Sequence, residues 1–230
     1  MYGSFERSGA VNFASVIADA FSSKPELVVL IAFPIAGAEI IKAWIQSGPA
    51  DDVQWLATDG LKDNQFVLLS GNGMPRVVGT APTPSSSYYP GFEARYMQAF
   101  GGEAPGIFTS NQYDAVILIA LAMTKAGTNP QPRDIRLAIP ELSRPGGEDV
   151  NAESIDELAR ALAAVKAGVD VNYQGVSGSV DMDENGDVLS LYRTWSIPEG
   201  GGAIAEGEIC FDCRVGTATT GVECGETACP

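Results

Sequence analysis

A chain of 230 residues is long enough for one large or two small domains, each with a core of its own. With 14 basic against 29 acidic residues and a net charge of -15, it repels phosphate backbones and anionic lipid surfaces, which argues against nucleic acid as a partner. Hydrophobic residues at 45% and charged residues at 19% describe a globular protein rather than an acidic disordered tail, and the absence of histidine excludes Ser-His-Asp and Cys-His catalysis and His-ligated zinc.

The opening stretch "MYGSFERSGA" has no basic region followed by an apolar core, so no secretory signal is visible. Residues 11 to 22, "VNFASVIADAFS", place Phe13, Val16, Ile17, Ala20 and Phe21 on one stripe and predict an amphipathic helix. "PELVVLIA" is a continuous apolar run, as expected of a strand buried on both faces. The longer run at 27 to 38 falls short of the roughly 20 residues that span a bilayer, and Pro34 interrupts it. "AGAEIIKAWIQSG" has helical spacing and ends at Gly48, and "VQWLATDG" begins a second strand. Helix, strand, helix, strand in this order predicts an α/β sheet with parallel strands and right-handed crossovers, whose ligands bind beyond the carboxyl ends of the strands.

"RVVGTAP" continues as a strand and "TPSSSYYP" as a Pro/Ser connector. Phe92, Tyr96 and Phe100 recur every fourth residue, giving a helix closed by Gly101 and Gly102. "NQYDAVILIALAMTKAG", at 111 to 127, is apolar nearly all round and predicts a buried helix capped by Gly127. "PRDIRLAIPEL" is a weaker helix, and "ESIDELARALAAVKAG" carries a Ser154/Glu157 capping-box spacing and ends at Gly168.

"DMDENGDVLSLY", at 181 to 192, sets Asp181, Asp183, Asn185 and Asp187 at calcium-loop spacing around Gly186. The twelfth position, which in a calcium loop supplies a bidentate Glu, is Tyr192, so the metal reading gives way to a hairpin. "GVSGSV" and "VLSLYRTWSI" are its expected strands, with Asn185-Gly186 as a type I′ turn. "GVSGS" at 175 to 179 has Ser179 where a nucleophile elbow needs glycine, and "GNG" at 71 to 73 lacks the later glycine of a dinucleotide loop. A catalytic pair of carboxylates leaves no trace in sequence spacing. Neither a metal site nor a cofactor is expected.

Cys210, Cys213, Cys224 and Cys229 all fall in the last 21 residues, in a Gly/Thr/Glu-rich tail. The pairs are also compatible with zinc, although the ten-residue gap between Cys213 and Cys224 is irregular for it. Two disulfides stapling a tail with few apolar residues is the expected use, and it implies an oxidising compartment. The division expected is an α/β region at 1–198 and a Cys-containing tail at 199–230.

Four stretches in order, "VVLIAFPIAGAEIIKAWIQSG", "WLATDGLKD", "YDAVILIALAMTKAG" and "VNYQGVSGSVDMDENGDV", resemble the second half of type I periplasmic binding proteins of the branched-chain amino acid transport group. The last is the most specific: Tyr173, Gly175 and Gly178 match the family's Tyr-x-Gly-x-x-Gly, and Met182 replaces the Phe of the following Phe-Asp-x-x-Gly-Asp turn. The resemblance covers about residues 10 to 198 and implies a parallel sheet flanked by helices, in a fold whose first lobe is largely missing ahead of residue 1.

The resemblance also implies a solute receptor of an ABC importer, holding an amino acid in a cleft between two α/β lobes and handing it to a membrane permease, in the periplasm or outside the cell. On the family's pattern Asp59 takes the ligand ammonium, while Phe33 and Tyr113 are aromatic contacts. Each has a plainer alternative: a turn cap for Asp59, core for Phe33, a helix-end seal for Tyr113. The competing classes are a sensory ectodomain of the same fold and an enzyme, the latter disfavoured by the lack of histidine and of any nucleophile motif. With one lobe absent, an exposed apolar face and self-association through it are expected.

Overall fold

The computed structural model of the protein describes residues 12–48, 53–215 and 218–225. The helices are α1 (Phe13–Phe21), α2 (Pro34–Gln46), α3 (Asn64–Ser70), α4 (Tyr89–Ala99), α5 (Thr109–Ala126), α6 (Pro132–Ala138) and α7 (Ile155–Lys166). The strands are β1 (Leu27–Leu30), β2 (Gln54–Ala57), β3 (Val77–Thr83), β4 (Glu148–Val150), β5 (Val171–Tyr173), β6 (Leu191–Ile197), β7 (Ala205–Val215) and β8 (Ala218–Gly225). The chain divides into two compact units, leaving the first at Ala81 and returning to it at Tyr192–Cys210, with Pro82–Leu191 and Phe211–Glu223 in the second.

The six-stranded sheet has the order β1-β2-β3-β6-β7-β8, and β1 and β2 lie wholly in the first unit. β1, β2 and β3 run parallel, with Leu30 opposite Ala57 and Ala57 opposite Gly79, and β7 pairs antiparallel with β6. β7 thus begins inside the segment read from sequence as a tail. The side chains of Cys210, Cys213 and Cys224, and all of Cys229, lie outside the described residues, and no disulfide is present among those described.

Helix α1 starts at Asn12, whose side chain accepts from the Ser15 amide, and its predicted stripe buries Ile17. Phe21 joins Trp44 and Trp55 in an aromatic cluster, the two indoles meeting edge-on at 5.5 Å. Gly37 on α2 sits where a β-carbon would collide with Leu61 and come within 3.3 Å of Phe66, so glycine lets α2 close on α3 and on the turn before it. Trp195 of β6 lies over Gly79 of β3 in the same manner.

β1 departs from expectation. Its burial alternates, with Leu30 buried but Leu27 and Val29 exposed, so one face of the strand is packed and the other is open. The exposed row continues onto Leu56 of β2, opposite Val29.

In the second unit, Ile117, Leu118, Leu121 and Ala122 of α5 pack with Ala161 and Val165 of α7 and with Val150, Val171 and Tyr173 of the two-stranded parallel pair β4-β5. α5 is not buried all round, since Val116, Ile119 and Met123 form an exposed stripe. Ser154 caps α7 by accepting from the Glu157 amide, yet Glu157 turns to Arg160 at 2.7 Å instead of closing the box. A complete capping box forms at Gln131 and Asp134 on α6.

The hairpin at 181 to 192 also differs. Met182 and Val188 form a single bridge, Asp183 donates its amide to the Asp187 carbonyl, and Gly186 donates to the Asp183 carbonyl. Gly186 takes φ 88°, whereas Asn185 stays at negative φ, so the turn is a type I turn with a glycine bulge rather than type I′. The Asp183 side chain decides this by accepting from the amides of Asn185 at 2.8 Å and Asp187 at 2.9 Å.

Candidate functional site

β1 and β2 end side by side, and each opens into a turn at the carboxyl edge of the parallel sheet, where α/β folds bind ligands. After β1 the chain passes through Ile31 and Ala32 to Phe33, which holds the N-cap position of α2 with Pro34 in the first helical turn. After β2, Thr58 leads into a 3₁₀ turn, Asp59–Leu61, closed by the Lys62 amide donating to the Asp59 carbonyl at 3.0 Å. Gly60 brings the two turns together: a β-carbon there would lie 2.7 Å from the Ala32 carbonyl oxygen and 3.6 Å from the Phe33 ring. Any residue but glycine would push the Asp59 turn away from Phe33.

Phe33 is 78% exposed, which removes the core alternative for it. Asp59 is half-buried, and its carboxylate has no hydrogen-bond or ion-pair partner among the described residues. Lys62, three residues on, is committed to Glu206 at 2.7 Å. An unpaired carboxylate in one turn, with exposed Phe33, Ile31 and Ile35 in the turn packed against it, offers a charge-assisted acceptor and an apolar wall. The arrangement suits an ammonium attached to an apolar body.

A cavity of about 470 Å³ bounded by Trp44, Trp55, Met74, Pro75, Arg76 and Glu199 opens instead at the amino ends of β2 and β3. Its position argues against it as the site, because the sheet's ligand edge is the opposite one.

Tyr113 belongs to the second unit. Its hydroxyl donates to the Ala152 carbonyl at 2.6 Å and its ring lies 5.1 Å from Phe92. Burial pushes its phenol above the ordinary value, opposed by the neighbouring Arg95 guanidinium. The next residue, Asp114, is one that sequence reasoning passed over. It is 2% exposed and accepts from the Tyr173 hydroxyl, the Val176 amide, and both the amide and hydroxyl of Ser177. Its signal was in plain view: an acid inside "YDAVILIALA" has to find buried donors. No group of three or more acidic or cysteine side chains is placed to hold a metal among the described residues.

Residues 6–198 match the family model described as the receptor family ligand binding region. The chain belongs to this family. Its fold resembles that of the leucine binding protein LivK from Thermotoga maritima MSB8, with a TM-score of 0.62 and 19% identity over 90% of this chain and 50% of that one. This is the type I periplasmic-binding-protein fold expected from the four sequence stretches. In sequence it is 29% identical over 94 residues, 41% of its length, to the chemotactic signal transduction system substrate-binding protein BasB of Halobacterium salinarum. It is 25% identical over 154 residues, 65% of its length, to glutamate receptor 2.4 of Arabidopsis thaliana. The chain spans about half of the solved relative, and the matches cover 22% and 16% of the two curated ones.

Proposed function

We propose that this chain carries one part of an amino-acid recognition site, the part that holds the ligand's ammonium and apolar side chain. The carrying observation is an unpaired Asp59 carboxylate in a turn whose Gly60 packs against the turn of exposed Phe33, at the carboxyl ends of two adjacent parallel strands. Asp59 accepts from the ammonium and Phe33 with its isoleucine neighbours takes a branched aliphatic chain. Tyr113 is a candidate contact through its ring only, since its hydroxyl is committed to Ala152. Binding proceeds without turnover, in a substrate-binding component that works outside the cytoplasm and delivers an amino acid to an ABC permease. The leucine-binding name of a structural relative supports this direction.

A second reading is a sensory ectodomain of the same fold. It is favoured by a chemotactic substrate-binding protein and a plant glutamate receptor among the sequence relatives. Both readings share the site and differ in the partner.

Nuclear magnetic resonance titration of the chain with leucine, isoleucine and valine at millimolar concentration tests the shared claim. Amide shifts should concentrate at residues 31–36 and 58–62. Shifts confined to the cavity bounded by Trp44 and Met74, or none at all, would refute it.

A further inference from the structure

Asp114 is a buried acid that the proposed ligand site does not use. Its Oδ1 accepts from the Tyr173 hydroxyl at 2.7 Å and the Val176 amide at 2.9 Å, and its Oδ2 from the Ser177 amide at 2.8 Å and the Ser177 hydroxyl at 2.5 Å. Four donors fill the acceptor capacity of an ionised carboxylate, which is what keeps a charge tolerable in the interior. Gly175 makes the room, for a β-carbon there would fall 2.5 Å from Oδ2.

The clamp has a further consequence. The carbonyl of Ser177, held in place by the two bonds that its amide and hydroxyl make to Asp114, accepts from the Ser85 amide at 2.9 Å. Gly178, at φ 150°, lets Ser85 approach so closely that a β-carbon would sit 2.5 Å from its hydroxyl oxygen. Ser85 stands just inside the point, between Ala81 and Pro82, where the chain enters the second unit.

We propose that Asp114 is a positioning residue for this segment: by clamping Val176 and Ser177 it fixes the carbonyl that holds Ser85, and so sets the path of the chain just after it enters the second unit. The glycines of the Tyr173-x-Gly175-x-x-Gly178 sequence then have separate tasks, one admitting the Asp114 carboxylate and the other admitting Ser85. The inference stands apart from the ligand reading, because it needs no ligand.

Amide hydrogen exchange on the full chain tests it, comparing Asp114→Asn, Ser177→Ala and Tyr173→Phe. Losing one or more bonds of the clamp should speed Ser85 exchange about tenfold more than that of Leu121 in the core of α5, in both Asp114→Asn and Ser177→Ala. Tyr173→Phe removes a donor on the β5 side and should lower stability without moving Ser85 relative to Leu121. Should Asp114→Asn fail to fold, Ser177→Ala carries the comparison. Unchanged Ser85 exchange in Ser177→Ala, or Ser85 and Leu121 changing by one common factor in every variant, would overturn the proposal.

Discussion

The hydroxyl of Tyr173 donates to Oδ1 of Asp114 at 2.7 Å, tying β5 to α5 inside the second unit. Removing that donor leaves a buried carboxylate short of one bond, so Tyr173→Phe should destabilise the protein by about 1–3 kcal/mol, read from denaturant midpoints. Alkali gives a second test. Burial first, then the Asp114 charge and hydrogen bond, hold the Tyr173 phenol protonated far above its ordinary value of 10.0. The native state therefore keeps a proton that the unfolded chain releases near pH 10, and the contribution is complete below that pH and lost as pH rises beyond it. Tyr173→Phe should flatten the alkaline loss of stability; an unchanged slope would count against the bond.

Gly79 passes beneath Trp195 and beside the Ala57 carbonyl, where a β-carbon would lie 2.6 Å from that oxygen and collide with the indole. Trp195 is fully buried and has nowhere to retreat. Gly79→Ala should cost about 1–3 kcal/mol through overpacking, measured by thermal or chemical unfolding. Gly48, with open space around it but φ 67°, makes the contrasting case, since its alanine variant pays only local backbone strain.

What could be read from the sequence followed the length of each pattern. β1, α2, β2 and α5 were legible because each has an apolar run or a helical stripe bounded by glycine or proline. α3, seven residues of "NQFVLLS", and the three-residue strands β4 and β5 are too short for periodicity to register. Exposure of Val29 on β1 and Val116 on α5 was illegible for another reason: an apolar run states what a residue prefers, not whether a covering element is present. The turn at Asn185-Gly186 was half right, since Gly186 does adopt positive φ, but the Asp183 side chain selects the turn type. Asp59 and Phe33 were singled out through family likeness; the meeting of their two turns depends on Gly60 and on strand register, which no local pattern carries.

The Asp183 carboxylate is fully exposed and is held below its ordinary value of 3.8 by the Asp187 amide first and the Asn185 amide next. A depressed native value means the contribution is present above pH 3.8 and is lost as pH falls through the lower native value. Against Asp183→Asn, the wild-type advantage should be constant at neutral pH and close on acidification. Calcium should leave the melting temperature of both proteins unchanged, because Asp183 points into its own turn and Tyr192 cannot complete a calcium shell. A calcium-dependent rise of several degrees would contradict this.

Val29 and Leu56 face each other across β1 and β2 with 59% and 40% of their surface exposed. Such a row favours self-association, opposed by a net charge of -15. Sedimentation velocity should show an assembly that grows with concentration and with added salt, and Val29→Lys should suppress it. A monomer at every concentration and salt level would show that the row does not drive association.

Recognition of an ammonium by Asp59 is tested most directly by calorimetric titration of the 230-residue chain with leucine, isoleucine and valine, beside Asp59→Asn. A ligand held by one carboxylate and one apolar wall keeps its own carboxylate in water, so the wild type should bind at about millimolar Kd, roughly -4 kcal/mol. Asp59→Asn keeps the shape and removes the charge, and it should weaken binding at least tenfold, about 1.4 kcal/mol, to beyond detection. Equal affinity in the two proteins would contradict the account and take Asp59 out of the site.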